Sequence, residues 1–187
     1  LPCARFGHTA TVCEGTRLMI FGGADFKGPL GDLYELDLAA EPMQWSRHEP
    51  SGYPPPPSSK HQAAVCRQHL LVLSGESTWG GHLWALQLQP QLTWIRSTLP
   101  DFPLRGASRF TIAPYLTPRP HKREEILIFG GHLEATGGLD SEVLDAFFTL
   151  DLRSWRYDEA EVPRETWADV EKRLLAMELS ETDMETK

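Results

Sequence analysis

Residues 17–38, with the sequence RLMIFGGADFKGPLGDLYELDL, contain a pattern on which the interpretation of the whole chain depends. An apolar run ends at Gly22 and Gly23, a loop follows, and apolar and polar side chains then alternate from Asp32 to Leu38. Alternation with a period of two is typical of a half-buried β-strand. The stretch therefore predicts two strands joined by a loop that begins at a double glycine.

The same pattern recurs twice further along the chain. The first recurrence is HLLVLSG at residues 69–75, and the second is EILIFGG at residues 125–131. The final glycine of these stretches lies 52 residues after Gly23 and 56 residues after Gly75, respectively. A regular period of this length indicates repeated structural units that stack against their neighbours.

Each of the three units is predicted to form four short strands. Fifteen glycines and fifteen prolines in 187 residues suit a chain of short strands and many turns. Each unit closes on a tryptophan. The units span about residues 5–50, 58–98 and 105–157, and their closing residues are Trp45, Trp94 and Trp155.

The residues after the third unit have a different character. Ten acidic and four basic residues lie in residues 158–187, so this tail carries most of the net charge of −8. Large apolar side chains in it recur at steps of three or four residues, which predicts an amphipathic helix over about residues 166–179. A decayed start of a fourth repeat at Arg164-x-x-Trp167 is the alternative.

Taken together, an opening R-x-x-H, an apolar strand ending in Gly-Gly, a D-[LV]-[YW] strand and a closing Trp resemble the kelch repeat. The first unit matches best, whereas the second has Ser74 for a glycine and His82 for the aspartate, and the third has Ala146 at the aspartate position. The positions that carry the resemblance are His8, Gly22, Gly23, Asp32, Tyr34, Trp45, Gly75, Trp84, Trp94, Gly130, Gly131, Phe148 and Trp155.

The resemblance implies an all-β fold of kelch-type β-propeller blades. Family members usually assemble about six or seven blades in a ring. Three four-stranded antiparallel blades would form only part of such a ring. Further kelch blades or self-association would then be needed to complete it.

Two sets of residues are predicted to contact a partner. The resemblance implies that Arg5 and Arg105 lie at the rim of a central pocket, where some family members grip acidic peptides. The alternative is that these arginines pair with neighbouring aspartates. The loops after the double glycines carry Phe26, Lys27 and Trp79, which we expect to be exposed.

Other kinds of site receive no support from the sequence. The seven histidines show no i,i+4 or H-x-H pairing, and no nucleophile motif is present, so we predict no metal, cofactor or catalytic residue. The acidic balance does not favour nucleic-acid binding, and no apolar run is long enough for a membrane helix. Three cysteines without a C-x-x-C pair predict a reducing compartment, the cytoplasm or the nucleus.

The resulting functional hypothesis is a protein–protein interaction module or scaffold that presents blade loops to a peptide or protein. A substrate receptor of a ubiquitin ligase is one such role. The alternative hypothesis is that the chain is the non-catalytic kelch part of a larger enzyme.

Overall fold

The computed structural model describes residues 1–74, 82–98, 107–116, 124–133, 142–143 and 147–151. Within these ranges all regular secondary structure is β. The predicted helix over 166–179, the acidic tail at 158–187, and Gly75, Trp79, Arg105 and Trp155 lie outside the described residues.

Blade 1 is a four-stranded antiparallel sheet with strand order β1-β2-β5-β6, as predicted. A two-stranded hairpin formed by β3 and β4 interrupts it between β2 and β5. The strands are β1 (Thr9–Cys13), β2 (Arg17–Phe21), β3 (Ala24–Asp25), β4 (Gly28–Pro29), β5 (Leu33–Asp37) and β6 (Gln44–His48).

The register of blade 1 defines its two edges. Phe21 pairs with Thr9 and Leu33, and Leu33 also pairs with His48, so these four residues lie along one edge, which we call the upper edge. The loop at residues 22–32 and the linker to blade 2 leave from this edge. The loop at residues 38–43 lies at the opposite, lower edge.

Blade 2 differs from the prediction because it has five strands, in the order β7-β11-β10-β9-β8. The extra strand β7 comes from the linker and pairs in parallel with the outermost strand of the blade. An outer strand without such a partner would leave its N–H and C=O groups open. The strands are β7 (Ser51–Gly52), β8 (Gln62–Cys66), β9 (His69–Ser74), β10 (His82–Gln87) and β11 (Thr93–Thr98).

Blade 3 contains a sheet of three described strands, in the order β13-β14-β17. The fourth strand, predicted at Trp155, falls outside the described residues. A second small sheet has the order β12-β15-β16. The strands are β12 (Ala107–Ser108), β13 (Thr111–Leu116), β14 (Glu124–Phe129), β15 (His132–Leu133), β16 (Glu142–Val143) and β17 (Phe147–Asp151).

The core lies between the blades. Blade 2 is the middle layer, and every residue of β9 is buried because one face of the strand packs on blade 1 and the other on blade 3. Burial on both faces explains why LLVL is a continuous apolar run, whereas a strand that is half-buried, such as β5, alternates. The contact between blades 1 and 2 contains Cys13, Met19, Phe21, Leu33, Leu70, Val72, Trp84, Leu86 and Trp94. The contact between blades 2 and 3 contains Ala64, Cys66, Leu71, Leu73, Leu83, Ala85, Phe110, Ile112, Ile126 and Ile128.

Candidate functional site

The double glycine of blade 1 is required by close packing and by its backbone conformation. Gly22 and Gly23 have φ values of +60° and +94°. A Cβ on Gly22 would lie 2.8 Å from the His61 ring, and one on Gly23 would lie 2.8 Å from the Phe6 carbonyl oxygen. The pair therefore lets the start of blade 1 and the start of blade 2 approach the same turn.

The loop after the double glycine is a braced hairpin. Phe6 and Ala24 exchange backbone hydrogen bonds of 3.0 and 2.8 Å, and the Leu30 amide donates to the Gly23 carbonyl at 2.7 Å. At the tip, the Asp25 carboxylate accepts hydrogen bonds from the amides of Lys27 and Gly28 at 2.7 and 3.2 Å. These bonds fix the direction in which the tip projects.

The tip of this hairpin holds an aromatic side chain in solvent. Phe26 is 92% exposed, as the sequence predicted. The Lys27 ammonium lies 5.5 Å from the centre of the Phe26 ring, within the range of a cation–π contact. The exposed ring and the cation share one small surface, which we call the hairpin tip (residues 25–28).

Arg5 is enclosed, with a side chain only 4% exposed. Its guanidinium donates to both carboxylate oxygens of Asp32 at 2.5 and 3.0 Å and to the Gly22 carbonyl at 3.0 Å. It also lies 5.5 Å from the centre of the Tyr34 ring. The hydrogen bond to Asp32 raises the pKa of Arg5, so its charge is fixed. Arg5 thus makes the aspartate pair that the sequence offered as its alternative role, and it joins the entrance of β1 to β5.

A cleft of about 390 Å³ lies next to the hairpin at the upper edge. Its walls come from the end of the hairpin, the start of β5, the end of β6, the proline-rich linker and one residue of blade 2. The cleft is lined by Pro29, Leu30, Arg47, Pro54, Pro55 and Trp94, among others. Sequence analysis did not identify the cleft, although the run of four prolines at residues 54–57 marks a rigid linker that could have indicated it.

His61 is a buried polar group at the contact between blades 1 and 2, and it was not among the predicted motif positions. Its two ring nitrogens lie 3.1 Å from the hydroxyls of Thr9 and Ser58. Burial lowers the pKa of His61 to about 4, so the ring is neutral at pH 7. His8 occupies the same repeat position but is exposed.

Two further kinds of site were searched for. In the part of the chain that the structure describes, no group of three or more His, Cys, Asp or Glu side chains could hold a metal ion. Among those same residues, no helix is long and apolar enough to cross a membrane.

Repeated antiparallel sheets packed face to face, each with a double-glycine turn or its remnant, define a protein built from propeller-type blades. A family model described as the KLHDC2/KLHL20/DRC7 Kelch-repeats domain matches residues 1–171. The chain belongs to the kelch-repeat family. The resemblance that the three repeats indicated is thereby confirmed.

Individual relatives share this segment within longer proteins. Adagio protein 3 of Arabidopsis thaliana is 33% identical over 170 residues, which cover 91% of this chain and 25% of the relative. Leucine-zipper-like transcriptional regulator 1 of Homo sapiens is 28% identical over 95% of this chain and 22% of its own length. Serine/threonine-protein phosphatase BSL2 of Arabidopsis thaliana is 40% identical over 74 residues, covering 40% of this chain and 7% of the phosphatase. The chain thus spans about a quarter of the length of the relatives that it matches along most of its residues.

Proposed function

We propose that this chain is a protein–protein interaction module that uses the upper edge of its blades to bind a peptide or protein. The observation that carries the proposal is the hairpin tip, where Phe26 is 92% exposed. A single exposed apolar residue is common on protein surfaces, but this ring stands on a hydrogen-bonded hairpin, beside a cation and next to a cleft. Aromatic anchors on rigid supports are the side chains that most often dominate binding energy.

The chemistry of the tip indicates the kind of partner. Lys27 supplies a cation beside the ring, and the neighbouring cleft offers proline walls and the Trp94 region. A peptide with an acidic residue next to an apolar residue would satisfy both the cation and the ring. Arg105 and Trp79 remain proposed contacts that lie outside the described residues. A contact from Arg5 to a partner also remains a proposal, and it would require rearrangement of the Asp32 pair.

The proposal can be tested by selecting binders from a displayed library of random peptides on the immobilised chain. Selected peptides should share an acidic-apolar pattern. The Phe26→Ala substitution should weaken their binding about tenfold or more, as expected for an aromatic anchor. Lys27→Ala should weaken binding mainly at low salt, because screening already reduces its contribution at high salt.

The matched control is Met43→Ala. Met43 is also a large exposed apolar residue, but it lies in the loop at the lower edge. Its substitution should leave peptide affinity unchanged. Equal losses for Phe26→Ala and Met43→Ala, or no loss for either, would exclude the hairpin tip as the binding surface.

A finer form of the proposal is that the module is the substrate receptor of a ubiquitin ligase. The same edge would then hold the protein to be ubiquitylated. Co-purification of the full-length protein with a cullin would support this role. A stable complex with a partner whose cellular level does not change when the protein is removed would argue for a scaffold instead.

A second candidate function is the non-catalytic kelch part of a larger enzyme. The similarity to a serine/threonine-protein phosphatase over 74 residues favours this alternative. In that case the hairpin tip would position the substrate of an attached catalytic domain. Phosphatase activity of the full-length protein that falls on Phe26→Ala substitution only with protein substrates, and not with a small aryl phosphate, would support it.

A further inference from the structure

The cleft beside the hairpin is lined by a tryptophan that is almost fully buried. Trp94 is 2% exposed, and its ring packs against the Phe21 ring with the ring centres 5.2 Å apart. This packing accounts for the burial of the ring, yet Trp94 also lines the cleft. The lining residues belong to blade 1, to blade 2 and to the linker between them, so the walls are formed by neighbours within this chain.

The indole N–H of Trp94 is a hydrogen-bond donor without a partner. Among the described residues no group accepts a hydrogen bond from it, and its nitrogen is not one of the fully enclosed polar atoms. The nitrogen is therefore accessible, and the cleft is the space that Trp94 lines. A buried indole N–H usually finds a partner, so this donor marks a place where an incoming acceptor would be held.

The walls of the cleft supply apolar surface and hydrogen-bond acceptors. Four linker prolines are among the lining residues, namely Pro50, Pro54, Pro55 and Pro57. A proline has no amide hydrogen, so its backbone can accept a hydrogen bond but cannot donate one. In the part of the chain that the structure describes, none of these four carbonyl groups accepts a backbone hydrogen bond. The cleft thus combines a buried donor with a wall of acceptors.

We propose that this cleft receives a tyrosine side chain of a partner peptide or protein. The ring would pack on the prolines, while the hydroxyl oxygen accepts from the Trp94 indole N–H and the O–H donates to a proline carbonyl. The volume of about 390 Å³ lies within the range of about 300–1,000 Å³ that is usual for binding pockets. The cleft therefore holds one aromatic side chain comfortably.

Other side chains match only part of the cleft. Phenylalanine leaves the indole N–H unpaired, and so do arginine, lysine and tryptophan, which carry donors but no acceptor. A carboxylate accepts from the indole but has nothing to donate to the wall. Small polar side chains and histidine provide both functions but bring less apolar surface to the prolines. Tyrosine combines a large apolar ring with a tip that both donates and accepts.

The inference rests on the proposed function for the source of the tyrosine, which is the partner held at the hairpin tip. Pro29 lines the cleft and directly follows that tip in the chain. An extended peptide advances about 3.3 Å per residue. A tyrosine within about four residues of the acidic-apolar pair therefore reaches the cleft while the pair contacts Phe26 and Lys27.

The test follows the indole N–H signal of Trp94 by NMR of the isotope-labelled chain while N-acetyl-tyrosine amide is added. The signal should shift progressively and reach a plateau. N-acetyl-phenylalanine amide should bind about threefold to tenfold more weakly, as expected for a ligand that lacks the hydroxyl hydrogen bonds. The signal is identified by its absence from the spectrum of Trp94→Phe.

The Trp94→Phe variant removes the N–H and keeps an aromatic ring, so it should bind the tyrosine amide less tightly and lose most of the preference for it. Trp84→Phe is the matched control, because Trp84 is also buried between blades 1 and 2 but does not line the cleft. It should keep the wild-type preference. If circular dichroism shows that Trp94→Phe disturbs the fold, Pro54→Ala replaces it and should weaken the binding of both amides about twofold or more.

The Phe26→Ala substitution separates this inference from the proposed function. It should leave the affinity for the tyrosine amide unchanged, because Phe26 does not line the cleft. Binding of the amide together with unchanged peptide affinity in Phe26→Ala would support the cleft and exclude the hairpin tip. Two results would overturn the cleft inference: an indole signal of Trp94 that does not move at any concentration of the tyrosine amide, and equal wild-type affinities for the two amides.

Discussion

His61 and His8 occupy the same position in consecutive repeats, yet only His61 is enclosed. The difference comes from their neighbours. His61 contacts the Phe21 ring of the preceding blade edge-on, with ring centres 5.2 Å apart. No blade precedes His8 within the described residues. Burial and its electrostatic consequences are therefore properties of the stack of blades, not of the repeat itself.

The enclosure of His61 predicts a loss of stability in mild acid. Its pKa is lowered from 6.5 to about 4 in the folded chain. Between these two pH values the unfolded chain therefore binds a proton at His61, whereas the folded chain does not. The free energy of unfolding therefore decreases as the pH falls from 6.5 towards 4. The loss due to His61 is about 2 kcal/mol between pH 7 and pH 5. Urea unfolding of the wild type and of His61→Gln at a series of pH values measures it, since glutamine keeps polar atoms but does not titrate.

The His61→Gln variant should be less stable at pH 7 but should show a shallower decline in the free energy of unfolding as the pH falls. His8→Gln is the control at the exposed equivalent position and should keep the wild-type profile. Parallel profiles for the wild type and His61→Gln would show that His61 does not carry the acid sensitivity.

At the scale of the element, strand β7 shows how a linker can pair with the outer edge of a blade. Only two residues pair, but the Ser51 amide donates to the Leu92 carbonyl at 3.2 Å and the Tyr53 amide to the Trp94 carbonyl at 3.1 Å. Gly52 lies so close to the outer strand that a Cβ would be 2.1 Å from the Trp94 carbonyl oxygen. Its φ of +86° also favours glycine. The pairing thus depends on one residue.

The Gly52→Ala substitution is predicted to release β7 from blade 2. The amides of Ser51 and Tyr53 should then exchange with solvent faster, because they lose their hydrogen bonds to the outer strand. The released linker should also be cut sooner in limited proteolysis, and the outer edge of β11 would be left unpaired. Gly28→Ala is the control, since Gly28 also has a positive φ but a Cβ there meets no atom within 4 Å. Equal exchange in both variants would mean that strain at φ, rather than the contact with Trp94, determines the result.

The sequence predicted the main strands of the blades more completely than the short strand pairs added to them. Alternation and the double glycines identify the strands of blade 1, and the alternative role of Arg5 as partner of an aspartate was foreseen. Strand β7 was not predicted, because two residues in a proline-rich linker show no periodicity. The β3–β4 hairpin was treated as a loop for the same reason. Such short pairs form because neighbouring strands present open hydrogen-bonding groups, which is information the local sequence does not contain.

At the scale of the whole molecule, equivalence of sequence did not predict equivalence of burial. Trp45 and Trp94 close consecutive repeats, but only Trp94 is fully buried. The double glycine of blade 2 has decayed to Ser74-Gly75, and yet this blade contributes buried residues to both core clusters. Being covered on two sides stabilises a blade whatever its match to the repeat motif.

This arrangement predicts that stability is greatest in the middle blade. Leu71 of β9 is fully buried against blade 3, and Leu71→Ala should cost about 2–5 kcal/mol because it leaves a cavity between sheets. Leu18→Ala removes the same atoms from the half-buried side of β2 that faces away from blade 2, so it should cost less. Chemical unfolding at a concentration where the chain is monomeric measures both.

Hydrogen exchange on the wild type should be slowest in β9 and β10 and faster in β1, because local opening of an outer blade breaks one contact between blades while opening of the middle blade breaks two. Equal costs for the two substitutions, together with uniform exchange across the blades, would show that the three blades unfold as one unit and that the middle position confers no extra protection.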